Sequence, residues 1–164
     1  MGTGKSAVGK RLAKEISCRF VDTDRLIEEK LGREVADIFA EEGEGRFREW
    51  EAEVVREVMR EEALIVSTGG GAVLNKESLD LFCDHGTVVW LTARPEVILK
   101  RAQRRINERP LLKGENPLLT IERLLKEREP YYKRAVFSVD TSDMSIDGVV
   151  LKIREAVFGV DHSI

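Results

Sequence analysis

Short apolar runs alternate along this chain with longer stretches whose apolar residues recur every three or four positions. Ser6 to Ile16 carries Ala7, Val8, Leu12, Ala13 and Ile16 on one stripe, which predicts an amphipathic helix. Cys18 to Asp22 reads as a short strand ending on an acid. Phe47, Trp50, Val54, Val55, Val58 and Met59 then predict a helix over 44–62. Ala63 to Thr68 is a near-continuous apolar run that stops at three glycines, the pattern of a strand buried on both faces of a parallel sheet. Thr87 to Thr92 repeats the pattern, and Pro95 suits the first turn of a helix running to about Arg105. Residues 106–117 are polar, hold Pro110, Gly114 and Pro117, and separate two helical patterns. Phe137 to Thr141 reads as a last strand and Gly148 to Phe158 as a last helix.

Strand–helix alternation of this kind predicts an α/β layered domain with a mostly parallel sheet. No internal repeat, low-complexity stretch or linker divides it, so residues 1–164 are expected to form one domain. Ligands of such sheets sit beyond the carboxyl ends of the strands. The loops after Val21, Val66, Trp90 and Val139 are therefore the expected working face.

Composition narrows the picture. With 164 residues, 42% hydrophobic and 35% charged, the chain has the make-up of a soluble globule with one core. A formal charge of −3 weighs against a nucleic-acid partner. Cys18 and Cys83 fit neither a disulfide framework nor a zinc pattern, and free buried thiols are expected. Apolar runs such as Thr87 to Leu91 fall far short of the roughly 20 residues of a membrane span, so a cytoplasmic location and no membrane partner are expected.

The first residues, Gly2-Thr3-Gly4-Lys5-Ser6, end as a phosphate-binding loop does. Glycines let successive backbone N–H groups turn toward phosphate oxygens, and the following helix points its positive end at them. Lys5 suits the β- and γ-phosphates of ATP, and the Ser6 hydroxyl suits Mg2+. The first glycine of the motif and the buried strand that normally feeds it both lie ahead of Met1 in register. The strands on either side are thus expected to lack a partner, and the natural protein is expected to begin about ten residues earlier.

Asp22 and Asp24 stand two apart at a strand's end, and continued extension would send both carboxylates to one side. Two acids so close repel unless a cation or a polarised hydroxyl shares them. Mg2+ for Asp22 and a substrate hydroxyl for Asp24 meet that need, while a solvated helix cap is the plainer alternative.

Beyond these segments the chain resembles the shikimate kinases along almost its whole length. The blocks are Gly4-Lys5-Ser6, Asp22-Thr23-Asp24, Ala36-Asp37-Ile38-Phe39, Gly43-Glu44, Phe47-Arg48-x-x-Glu51, Gly69-Gly70-Gly71-Ala72-Val73, Arg109-Pro110-Leu111-Leu112 and Arg128-x-Pro130-x-Tyr132. The resemblance implies a three-layer P-loop kinase fold of family strand order 2-3-1-4-5 with its first strand missing or truncated, a mobile lid at about 106–117, and a substrate-binding helical region at about 25–62. It implies transfer of the γ-phosphoryl of ATP to the 3-hydroxyl of shikimate in aromatic amino-acid biosynthesis, by a monomer using Mg2+.

Site residues follow from the matched blocks. Gly2, Thr3, Gly4, Lys5, Ser6, Ala7 and Arg109 are implied to hold ATP, and Ser6 and Asp22 to hold the metal. Lys5, Asp24 and Arg109 are the implied catalytic set. Substrate falls to Asp24, Arg48, Glu51, Gly69, Gly70, Gly71 and Arg128, with Phe39 and Phe47 lining the pocket or serving as core. Arg48 and Glu51, three apart on a helix, share a face and can pair. Three successive glycines are costly in backbone entropy, and close backbone approach is the use they imply. Arg101, Arg104 and Arg105 suit a helix carboxyl end, although the resemblance also implies one arginine stacked on adenine. Pro130 predicts a break or kink in its helix at Glu129. Two alternatives stay open: another small hydroxy-acid kinase, such as one for gluconate, and a non-catalytic P-loop regulator.

Overall fold

In the computed structural model, which describes residues 2–103 and 116–159, helices and four-residue strands alternate as the periodicity predicts. The order is α1 (Lys5–Glu15), β1 (Arg19–Asp22), α2 (Thr23–Leu31), α3 (Val35–Val58), β2 (Leu64–Ser67), α4 (Lys76–His85), β3 (Val89–Thr92), α5 (Pro95–Gln103), α6 (Pro117–Tyr132), β4 (Phe137–Asp140) and α7 (Ile146–Phe158). A 3-10 turn, Ala72–Leu74, follows the triple glycine.

Strand alternation sorts the side chains into layers. β1 and β2 run parallel with Phe20 opposite Ile65 and Val21 opposite Val66. Phe20 and Ile65 meet α1 at Gly9, where a Cβ would lie 2.7 Å from the Phe20 ring. Val21 and Val66 point the other way, into a core with Ile27 of α2 and Ile38, Phe47, Val54 and Val58 of α3. β3 and β4 also run parallel, and their Leu91 and Val139 pack under Val8 and Leu12 of α1 and Val149, Val150 and Ile153 of α7. The result is an α/β sandwich of three layers, and both strand pairs are parallel.

The sheet is divided. Among the described residues β2 pairs only with β1, and β3 only with β4. A cavity of about 990 Å3 lies between the pairs, bordered by Ile65, Val66, Val89, Trp90 and Leu91. The loss of pairing expected in the middle of the sheet is present.

Five local expectations are corrected. Asp22 does not continue in extended form to Asp24: α2 opens at Thr23, so Asp24 lies in a first helical turn. The helix expected over 44–62 is the second limb of α3: a kink at Gly43, whose φ of 81 only glycine adopts freely, separates it from a first limb that opens at Val35, and it ends at Val58. Pro130 does not break α6, which runs on to Tyr132. The proline sits in the last turn, where its missing N–H removes one backbone bond and little helix remains to propagate. Pro117, expected in the lid, is the first residue of α6, and the Asn116 side chain caps that helix by accepting from the Leu119 N–H at 3.1 Å. The rest of the expected lid, Arg109 with it, lies outside the described residues. Cys18 and Cys83 are free, and both are half-buried rather than buried.

Candidate active site

The phosphate loop opens the chain. Gly2 (φ 64) and Gly4 (φ 93) hold left-handed backbone that other residues adopt at a cost, and Gly4 is the residue from which α1 starts. A Cβ on Gly2 would also press on the Ile98 backbone at 3.0 Å. The loop is anchored from the far strand pair: the buried Thr141 hydroxyl lies 3.0 Å from both the Thr3 and the Thr92 carbonyls, which share its one proton. Arg101 in turn donates to the Thr141 hydroxyl at 2.9 Å and to its carbonyl at 2.7 Å. Arg101 is therefore tied to the loop's support rather than being a free helix-end charge. Arg104 and Arg105 lie outside the described residues. Ala7 is exposed in the first turn of α1.

Ser6 and Asp22 meet at the carboxyl end of β1. The Ser6 hydroxyl donates to Asp22 Oδ2 at 2.6 Å and lies 3.3 Å from Ser67 Oγ. Although Asp22 occupies the N-cap position of α2, its side chain makes no capping bond, so the plain helix-cap role is not the one it fills. Hard oxygens in this number suit Mg2+, which keeps much of its water and takes only one or two protein ligands beside phosphates. Among the described residues no group of three or more His, Cys, Asp or Glu side chains could hold a metal by itself.

Behind the phosphate loop the carboxyl ends of β1 and β2 enclose a charged cluster. Glu51, 2% exposed on α3, accepts from Arg48 at 2.7 Å, and Arg48 also donates to Glu44 at 2.8 Å. The triple glycine is what lets these groups approach. A Cβ on Gly69 would lie 2.7 Å from Asp24 Oδ1 and would run into Glu51 Oε1, and one on Gly71 would strike the Arg48 guanidinium. The Gly69 N–H donates to Thr23 Oγ1 at 3.3 Å, and the Tyr132 hydroxyl donates to the Gly70 carbonyl at 2.5 Å. Phe47 is core and its ring lies 4.6 Å from that of the half-buried Phe39.

Several polar atoms here are buried without a partner: Asp24 Oδ1, Glu51 Oε1 and Arg128 Nε. Leaving a buried polar group unpaired costs about 1–3 kcal/mol, so such a concentration calls for a ligand. Burial pushes the Asp24 carboxyl above the usual carboxylate range and the neighbouring Asp22 pushes it further, against the pull of Lys5 and Arg48. Burial likewise raises Glu51, with Arg48 opposing.

Most of the chain matches known proteins. The family model for shikimate kinase matches residues 1–158. A shikimate kinase of Pelotomaculum thermopropionicum is 48% identical over 153 residues, 93% of this chain and 88% of that protein. The chain belongs to the shikimate kinase family. It is thereby an ATP-dependent kinase. Another shikimate kinase, from Thermus thermophilus, is 43% identical over 96% of this chain and 86% of its own length. The solved shikimate kinase from Acinetobacter baumannii in complex with shikimate superposes with a TM-score of 0.94 at 35% identity, covering 99% of this chain and 90% of that one. The shikimate kinase from Aquifex aeolicus superposes at 0.80 with 31% identity, covering 97% and 92%.

The structure therefore brings Lys5, Ser6, Asp22, Asp24, Arg48, Glu51, Gly69, Gly70, Gly71 and Arg128 to one end of the fold. Sequence reasoning assigned nothing to Glu44, Thr23, Ser67, Thr141 or Tyr132, which orient those groups. Two of them carried a usable signal: Tyr132 stands four residues after Arg128 and Glu44 four before Arg48, each on its partner's helical face.

Proposed function

We propose that this chain transfers the γ-phosphoryl group of ATP to the 3-hydroxyl of shikimate, giving shikimate 3-phosphate and ADP. The observation that carries this reading is the set of unpartnered buried atoms on Asp24, Glu51 and Arg128 around a glycine loop with no side chains of its own. An acceptor with one carboxylate and several hydroxyls complements that set. Arg48 and Arg128 would take the carboxylate, since a planar guanidinium matches it bidentately. Glu51 holds Arg48 in place from one side and Glu44 from the other. Gly69 to Gly71 would lie against the ring and its hydroxyls.

Asp24 would accept a hydrogen bond from the acceptor hydroxyl, align it with the γ-phosphorus and receive its proton. A carboxyl whose pKa is raised is the better proton acceptor, and burial supplies the rise. Lys5 and the N–H groups of Gly2 to Ser6 would cradle the phosphates at the positive end of α1, with Ala7 beside them. Mg2+, held through Ser6 and Asp22, would supply charge neutralisation on the β- and γ-oxygens. Arg109 is assigned to the transferring group from its Arg-Pro-Leu-Leu segment alone.

Coupled ADP-release assays against shikimate, gluconate and related hydroxy-acids test the proposal. Shikimate is expected to give the highest rate by far. A much higher rate with gluconate would transfer the assignment to that class, and no acceptor-dependent release from any acid would favour a non-catalytic regulator.

A further inference from the structure

The triple glycine is the freest backbone in the site, yet three charged side chains depend on where it lies. Its hydrogen bonds are sparse and mostly local: the Gly69 carbonyl accepts from the Ala72 N–H at 3.2 Å and the Gly71 carbonyl from the Leu74 N–H at 2.9 Å. The middle carbonyl, Gly70, is held by a residue 62 positions away, through the 2.5 Å bond from the Tyr132 hydroxyl. Tyr132 is itself fixed twice. It is the last residue of α6, one turn beyond the buried Arg128, and its ring stacks on Trp90 of β3 with centroids 5.4 Å apart and planes 26° apart. It thus spans the gap between the loop after β2 and the strand β3, which share no sheet hydrogen bonds among the described residues. Burial raises the phenol above its ordinary pKa, so the hydroxyl stays a donor throughout the neutral range.

We propose that Tyr132 is a positioning residue for the acceptor: its hydroxyl pins the Gly70 carbonyl, and thereby sets the loop against which Asp24, Arg48 and Glu51 pack, while its ring keeps that loop in register with Arg128. This rests on the reading of the site as an acceptor pocket. The chain's own geometry makes the hydroxyl, not the ring, the group that reaches the loop. Tyr132→Phe keeps the stack on Trp90 and removes the hydroxyl, with its bond to Gly70 and its contact with Arg128, so exchange in the loop itself is what reads the tether.

Two measurements on the full chain decide it. In steady-state kinetics Tyr132→Phe is expected to raise the KM for shikimate about three- to tenfold, the range of one lost hydrogen bond, with nucleotide affinity within about twofold of wild type. In amide hydrogen exchange without ligands, residues 69–74 are expected to exchange faster in Tyr132→Phe, while 19–22 and 137–140 are unchanged. An unchanged KM with unchanged exchange overturns the proposal. A loss of shikimate and nucleotide affinity together, with faster exchange throughout, also overturns it by reducing Tyr132 to a support of the whole fold. If wild type turned over another acid instead of shikimate, the proposed substrate would fall while the KM for that acid, with the exchange pattern, still judged Tyr132. If wild type turned over none, exchange alone would decide: acceleration confined to 69–74 upholds the tether, and its absence overturns it.

Discussion

β1 and β2 pair over four residues in parallel register, and β3 and β4 do the same, yet acids at the two carboxyl ends behave in opposite ways. Beyond β3 and β4, Asp143 takes both arms of the Arg94 guanidinium at 2.6 and 2.7 Å, and Asp140 accepts from the N–H and hydroxyl of Ser142. Arg94 holds Asp143 below the usual carboxylate range, and the Ser142 bonds do the same for Asp140. Beyond β1 and β2, Asp24 and Glu51 are enclosed, each keeps one oxygen without a partner, and both are raised. The strands impose none of this difference. It comes from what closes over each end: water and matched partners on one side, α3 and a glycine loop on the other. A carboxylate near a strand's end becomes a better proton acceptor when it is buried and left unmatched, and a poorer one when it is exposed and paired.

The sharpest way to break the comparison is to neutralise one acid at each end. Asp24→Asn is expected to lower turnover about 10²-fold or more, the scale of losing an acid–base group, with nucleotide binding nearly unchanged. Asp143→Asn is expected to leave turnover within about twofold, since exposed pairs contribute little. Equal losses in the two variants would show that enclosure is not what distinguishes the ends.

The arginines come next in size. Arg48→Lys and Arg128→Lys keep the charge and lose the fork, and each is expected to raise the KM for shikimate about tenfold or more, as for other charged hydrogen bonds. Unchanged KM values in both would make these arginines purely structural. Gly71→Ala is expected to act in the same direction, because its methyl group strikes the Arg48 guanidinium. Wild-type KM in Gly71→Ala would show that the loop gives way freely.

Stability against pH should separate the ends with the smallest effect and opposite signs. The folded state holds the Asp24 and Glu51 protons more tightly than the unfolded chain does. Their contribution is therefore most favourable below the ordinary carboxylate range and declines as pH rises toward the folded values. Asp140 and Asp143 are lowered, so their small contribution is present above the ordinary range and is lost as pH falls through the folded values. Asp24→Asn is accordingly expected to raise the Tm at neutral pH by a few degrees and to flatten its decline above about pH 4. A lowered Tm in that variant would mean that the Asp24 charge is already compensated in the fold.

Much of this division was legible beforehand, and the reasons are specific. Runs ending at Asp22 and at Gly69 marked the strands by their shortness and by the acid and glycines that stop them, although β2 is half-buried from Leu64 to Val66 rather than buried on both faces. The Arg48–Glu51 pair followed from helical spacing alone. The local geometry of Asp24 did not, since nothing in Val-Asp-Thr-Asp says that the helix starts at Thr23. Pro130 misled for a related reason: its cost depends on how much helix lies beyond it, which the sequence does not mark. The Tyr132–Gly70 bond and the Thr141 support of the phosphate loop join residues 62 and 138 positions apart, and only the packed layers bring them together.

Identification of the product tests the central claim most directly. Incubated with MgATP and shikimate, the chain is expected to yield ADP and a shikimate monophosphate in equal amounts, with 31P and 1H NMR placing the phosphate on the 3-hydroxyl. ADP release without a phosphorylated acid, or a phosphate on another hydroxyl, would contradict the alignment assigned here to Asp24.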